Sequence, residues 1–229
     1  MREIANIKKL NYYVSKYNIN DIFSTDMKPY MELFFFNKNE YICKANEKLD
    51  YLLFFVKGKA KVYGSLSNGK SLLLCFYKPF MIIGDVEFLR SETANSNVQV
   101  IEDTYCVGIS FDNIIKFAFD DSKFLRSACV WLGEKLIRLS KNSSINLLYP
   151  LENRLASFIL ATCNESKDKN KIIFQGNLTE VSELLGTSYR HLLRTLNLLC
   201  SEDAIKKNEN YYEIINTSIL EKLAGELYE

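Results

Sequence analysis

Near Ser110 the apolar residues pass from short β runs to helical spacing, and that change implies a β domain followed by a mainly helical part. From about Leu33 to Ser110 the apolar residues fall in short runs: FFF, YIC, YLLFFV, AKVYG, SLLLCFY, VQV and YCVGIS. Polar or glycine-containing turns separate them. Many short strands at roughly ten-residue spacing predict a sandwich or a barrel-like roll. Asn68-Gly69 between two runs is a hairpin signal, because both turn positions tolerate positive φ, and Gly58 marks a second turn. Ahead of the roll, Ile4, Ile7, Leu10 and Val14 recur at three- and four-residue steps, which predicts a short amphipathic helix.

Beyond Ser110 the spacing is helical. Leu125, Cys129, Leu132, Leu136 and Leu139 stand 4, 3, 4 and 3 residues apart, a heptad seam that Trp131 and Ile137 would widen. Two readings follow: a helix packed on its own β domain, or a helix pairing with a second copy in parallel. The polar KNSS at 141–144 and Pro150 predict a hinge. LENRLASFILATC then reads as one amphipathic helix, with Leu155, Phe158, Ile159 and Thr162 along one face. The charged run ESKDKNK (165–171) reads as a solvated connection, with phosphate contact as the alternative.

Residues 178–200, LTEVSELLGTSYRHLLRTLNLLC, carry the strongest functional signal. Thr179 is placed to cap a first helix whose apolar side is Val181, Leu184 and Leu185. Gly186 falls where a tight inter-helix turn needs positive φ, and Ser182 is small where the two helices approach. Ser188 caps a second helix with Leu192, Leu193, Leu196 and Leu199 facing inward. Tyr189, Arg190 and Arg194 are left for its outer face, with His191 near the edge. An α-helix fits the DNA major groove, and arginine can donate two parallel hydrogen bonds to guanine. The hydroxyls of Thr187 and Ser188 suit phosphate. AIKKNENYYEII (204–215) reads as strand, polar turn, strand, the wing of a winged helix, with Lys206 and Lys207 available to the DNA backbone.

Composition bounds the alternatives. Lys and Arg number 29 against 28 Asp and Glu, so nucleic-acid binding must rest on a local constellation. Residues 172–229 hold five basic and nine acidic side chains, a balance that makes binding by one copy weak and salt-sensitive. The cysteines are dispersed without a CxxC clip and His191 is the single histidine, which argues against a metal centre and a cupin-like enzyme. No Ser-His-Asp, Cys-His or phosphate-loop arrangement is present, so neither catalysis nor a cofactor is expected. The N-terminus lacks an apolar signal core and no long apolar run occurs, so a cytoplasmic protein without membrane partners is expected.

Taken together these segments resemble the Crp/Fnr family of bacterial transcription regulators over nearly the whole chain. In the β domain the resemblance rests on YLLFFVKGKAKVY, the NG hairpin and KPFMIIGDVEFL; further on it rests on LENRLASFIL and on 178–200 followed by the wing. It implies an α+β chain: residues 1–110 as a jelly-roll, cyclic-nucleotide-binding-like sensor domain, 111–149 as dimerisation helix and hinge, and 150–229 as a winged helix-turn-helix. It also implies double-stranded DNA, a second copy of the chain and RNA polymerase as partners. In the family the residues matching Tyr189, Arg190 and Arg194 contact DNA, usually as Arg, Glu and Arg, so Arg194 alone keeps its type. SYRHLLR is similar to the YeiL-like subgroup.

The resemblance also suggests an effector pocket. Gly84 and Asp85 match the Gly-Glu pair that holds ribose in nucleotide-binding members. The phosphate-binding arginine aligns with Ala94, followed by Asn95 and Ser96; of two base-reading positions one aligns with Leu139 and the other keeps Ser140. Ordinary cAMP is therefore a poor fit, because its phosphate lacks a bidentate cation. A small-molecule effector held by Gly84, Asp85, Asn95, Ser96 and Ser140 is one expectation, and a plain turn with Asp85 as its capping acid is the other. A receptor module that no longer binds DNA is the alternative to the regulator.

Overall fold

A computed structural model describes residues 2–90, 93–165, 172–225 and 227. Chain contacts divide these into two units. One takes residues up to Gly64 together with Phe76–Leu139; the other takes Ser65–Cys75 with the described residues from Ser140 onward.

The first unit opens with a two-residue strand β1 (Arg2–Glu3) and helix α1 (Ile7–Lys16), capped by Asn6, whose side chain accepts from Lys9 N. The predicted N-terminal helix is thus shorter than its periodicity: Ile4 precedes the cap and Ile7 is exposed. Strands β2 (Met31–Phe36), β3 (Tyr41–Cys43), β4 (Tyr51–Lys57), β5 (Ala60–Ser65), β6 (Ser71–Tyr77) and β7 (Met81–Ile83) follow, the last missed by the sequence reading. Helix α2 (Asp85–Arg90), strands β8 (Asn97–Val100) and β9 (Thr104–Ser110), helix α3 (Phe111–Ala118) and the 27-residue helix α4 (Ser122–Leu148) complete this part of the chain. One sheet has the order β1-β2-β9-β4-β7, antiparallel throughout, and a second has the order β3-β8-β5-β6.

Strand β4 lies inside its sheet and is buried on both faces, which is why it reads as the unbroken apolar run YLLFFV rather than an alternation. Leu52, Phe54 and Val56 point into a core with Tyr13, Val14, Ile109, Ile114 and Phe124. Leu53 and Phe55 are buried on the other face. Burial of such side chains contributes about 1.5–3 kcal/mol each. At the NG hairpin Gly69 alone takes positive φ (79°), and Gly69 N donates to Leu66 O at 2.9 Å. The turn therefore centres on Ser67-Asn68, one residue earlier than an Asn-Gly two-residue turn would place it.

Helix α4 does not break at KNSS. It runs unbroken to Leu148, and the break falls at Tyr149-Pro150, where Pro150 precedes helix α5 (Leu151–Thr162). Polar residues alone do not end a helix when their side chains find partners: Asn142 and Asn146 donate to the carbonyls of Leu74 and Leu73, at 2.6 and 3.3 Å.

In the second unit, short strands β10 (Asn164–Glu165) and β11 (Ile172–Phe174) precede helices α6 (Leu178–Leu184) and α7 (Tyr189–Ser201). Strands β12 (Ile205–Lys207) and β13 (Tyr212–Ile214) and helix α8 (Thr217–Ala224) follow. The sheet order is β10-β11-β13-β12. The connection read as solvated falls mainly on residues 166–171, outside the described residues. Helix α8, which the sequence reading did not single out, packs on α5: Asn153 donates to Leu223 O at 2.8 Å and buried Ser157 donates to Leu227 O at 2.7 Å.

Candidate nucleic-acid interface and effector site

Helix α7 forms because its apolar residues repeat on one side and its first turn is capped. Leu192, Leu196 and Leu199 are fully buried, with Thr195 beside them, while Leu193 is only half-buried. Ser188 accepts from His191 N at 3.2 Å, the expected N-cap. Gly186 takes φ +60°, as the tight turn before α7 requires. Val181, Ser182, Leu184 and Leu185 are buried in and after α6, as the spacing predicts.

The cap of α6 is a correction. It is Asn177, whose side chain accepts from Thr179 N at 3.0 Å and Glu180 N at 3.5 Å; Thr179 lies inside the helix and its carbonyl accepts from Ser182 Oγ. The signal was present as Asn177 followed three residues later by Glu180, the spacing of a capping box. Arg154 was also missed. Its Nη1 donates to Leu185 O at 2.6 Å, tying α5 to the end of α6, and its Nε donates to Tyr149 O.

Tyr189, Arg190, His191 and Arg194 are all exposed. Among the described residues neither arginine forms an ion pair. His191 Nδ1 lies 3.3 Å from Thr187 Oγ1, so these two polar groups partner each other at the start of the helix. Lys206 and Lys207 are exposed on β12. Tyr189 and Lys207 line one cleft of about 300 Å³ between α7 and the β12–β13 hairpin, with Asn208 and Tyr211. The aromatic, the wing lysine and the helix start are thereby gathered on one side of the unit.

The candidate effector residues are not gathered in the same way. Asp85 is 2% exposed and forms an ion pair with Lys135 of α4, a partner the sequence reading missed. Asp85 is therefore not a turn-capping acid. It sits in the first turn of α2, where a negative charge is also favoured by the helix dipole, and its other oxygen has no partner among the described residues. Gly84 has φ +95° and packs so tightly that an added Cβ would stand 2.5 Å from Tyr51 O. Ala94 is buried, Asn95 is exposed, and Ser96 is half-buried with its carbonyl accepting from Cys43 Sγ. Ser140 falls in the other unit, where its carbonyl accepts from Ser144 Oγ. A cavity of about 660 Å³ elsewhere in the first unit is lined by Leu49, Tyr51, Glu87, Phe88, Phe111 and Ile115, and by none of the expected effector residues.

Helix α4 turns one stripe inward: Phe124, Ala128, Trp131, Lys135 and Arg138. Phe124 and Ala128 are buried, Trp131 meets Phe54 and Phe124 edge to face, and Arg138 Nη1 reaches Met81 Sδ at 3.1 Å. The predicted seam is the neighbouring stripe. Leu125, Cys129, Leu136 and Leu139 are exposed and Leu132 is half-buried. Trp131 thus belongs to the inward stripe and does not widen the seam, whereas Ile137 is 72% exposed.

Residues 33–121 match the family profile described as the cyclic nucleotide-binding domain. The chain is 30% identical to the regulatory protein YeiL of Escherichia coli O157:H7 over 214 residues, covering 93% of this chain and 95% of that protein. Its fold matches that of a putative transcriptional regulator of the Crp/Fnr family from Eubacterium rectale, with a TM-score of 0.72 at 17% identity over 86% of this chain and 91% of the other. A CRP-family transcriptional regulator from Thermus thermophilus matches with a TM-score of 0.66 at 17% identity, over 86% and 98% of the two chains. With a β domain, a long helix, a winged helix-turn-helix and a relative of this similarity over nearly its full length, the chain belongs to the Crp/Fnr family of transcription regulators.

Proposed function

We propose that this protein is a cytoplasmic, DNA-binding transcription regulator that acts as a homodimer and works with RNA polymerase, without catalytic activity of its own. The observation that carries the reading is the division of α7: its leucines are buried, while Tyr189, Arg190 and Arg194 stand in solvent without ion-pair partners among the described residues. Arg190 and Arg194 are four residues apart and project from one side, as a major-groove helix requires. Thr187, Ser188, Lys206 and Lys207 supply backbone contacts around that side. The acidic balance of residues 172–229 weakens binding by a single copy, so two copies are needed for useful affinity. The heptad seam of α4, exposed at every position but the half-buried Leu132, supports such a pair, with Leu132 and Leu136 at its centre.

Selecting fragments from random DNA with the purified protein tests the reading. The expected product is a roughly palindromic site with half-sites about one helical turn apart, ~34–36 Å. Sedimentation should give a dimer at micromolar protein, and Leu132→Lys, which puts an unpaired charge into the seam, should give monomers. A wild-type monomer at that concentration overturns the paired seam. The acidic balance is also what favours the alternative, a receptor module without DNA binding; a selection that enriches no sequence would put that alternative first.

A further inference from the structure

Asp85 is held inside the first unit by its surroundings. Gly84 leaves no room for a side chain beneath Tyr51, and the carboxylate that follows is sealed from solvent. A carboxylate in such a place stays charged only beside a cation. Lys135 of α4 meets it, its side chain 19% exposed against 1% for Asp85. Cys43 senses the same spot: its thiol is pushed up to about 12 by burial and by the charge of Glu87, with Lys135 acting in the opposite sense. The charges of Glu87, Glu47 and Lys135 all reach Cys43, and buried Ala94, where the family resemblance places a phosphate-binding arginine, offers no cation.

From this we infer that Lys135 is the resident occupant of the Asp85 site. The chain supplies from α4 the counter-charge for the carboxylate, held on one of its two oxygens, so the site takes no nucleotide and α4 is seated on the β domain without an effector. An anionic ligand that drew Lys135 away would leave Asp85 buried without its counter-charge. The consequence reaches the seam. Leu132 precedes Lys135 by three residues, and Leu136 and Leu139 follow it by one and four. Trp131 and Arg138, on the inward stripe with Lys135, also face the β domain. Pinning Lys135 sets the rotation of α4 about its axis, and with it the residues offered to a second copy. Lys135 is a positioning residue, and its role rests on the reading of the protein as a dimeric DNA-binding regulator.

The test uses the full chain and the DNA it selects. Unaltered protein should bind that DNA without added nucleotide, and cAMP, cGMP or cyclic di-GMP should change its affinity by less than about twofold. Lys135→Ala should bind about tenfold or more weakly while keeping its helical content, because one charge of a buried pair is removed. Added n-butylammonium should restore part of that loss and n-butanol none, while Lys135→Arg should stay within about threefold of the original. A nucleotide that tightens binding by about tenfold overturns the inference, as does a folded Lys135→Ala that binds DNA unchanged. Should Lys135→Ala not fold, the nucleotide titration of the unaltered protein decides. If the unaltered protein selects no DNA, the regulator reading fails instead. The pin is then judged by thermal melting of Lys135→Ala, which n-butylammonium should raise and n-butanol should not; no rescue overturns it.

Discussion

The charged residues at the start of α2 and along α7 both stand where the resemblance to the family implies ligand contact, and the two regions treat charge in opposite ways. Asp85 is turned inward and answered by Lys135 of the same chain. Arg190 and Arg194 are turned outward. A charge paired inside the fold is costly to unpair and so resists exchange with a ligand. A charge left in water contributes little to stability and remains free for an incoming phosphate or base. Substitutions on the buried and exposed sides of the helix-turn-helix should therefore separate stability from DNA affinity.

The largest effect is expected in the interior. Leu196→Ala removes a fully buried side chain from α7 and should destabilise the domain by about 2–5 kcal/mol in urea unfolding. Any loss of DNA binding should then follow the unfolded fraction. An unchanged unfolding midpoint would mean that α7 is not held by its leucines.

On the exposed side the pattern should reverse. Arg190→Ala and Arg194→Ala should each weaken binding to the selected site by about 1–3 kcal/mol while shifting stability by less than about 0.5 kcal/mol. The loss should relax discrimination at particular bases. Lys206→Ala or Lys207→Ala should weaken all sequences alike and flatten the salt dependence by about one unit per lost phosphate contact. Fluorescence anisotropy on selected and scrambled duplexes at several salt concentrations reads both effects. Equal binding of both duplexes by the arginine variants and the wild type would remove α7 as the reader.

The helix cap gives a smaller and sharper contrast. Asn177→Ala should cost about 1 kcal/mol of stability, because two amide donors of α6 lose their acceptor. Thr179→Ala, inside the helix, should cost markedly less. A larger effect at Thr179 would reverse the assignment of the cap.

The smallest perturbation is alkylation. Cys129, exposed on the outer stripe of α4, should react first with iodoacetamide, and more slowly as protein concentration rises and the seam pairs. Cys43 should stay unreactive from pH 7 to 9, because its thiol is held up to about 12 and remains protonated there; Cys106, fully buried with its thiol also pushed up, should behave alike. Mass spectrometry of digested protein reports each site. A reaction at Cys129 indifferent to protein concentration would count against the paired seam.

Local chemistry made much of the helix-turn-helix legible. The burial of Val181, Leu184, Leu192, Leu196 and Leu199, the positive φ of Gly186 and the Ser188 cap each depend on residues within a few positions along the chain. Thr179 carries the hydroxyl nearest the apolar run, but the Asn-x-x-Glu spacing just ahead of it supplies the cap. The same locality explains the strands, since YLLFFV and its neighbours carry their burial in their own composition.

Helix α4 shows where that reasoning stops. Phe124, Ala128, Trp131, Lys135 and Arg138 repeat at 4, 3, 4 and 3 residues, and so do Leu125, Cys129, Leu132, Leu136 and Leu139, one position along. By itself the sequence determined that a helix runs here and that apolar residues repeat along it, because periodicity is a property of the chain. Which stripe meets the β domain was decided by tertiary structure, where Trp131 finds Phe54 and Lys135 finds a carboxylate 50 residues away. The same holds for Asp85. Its charge is plain in the sequence, but whether a buried charge binds a ligand or a neighbour depends on the partner that the fold brings to it.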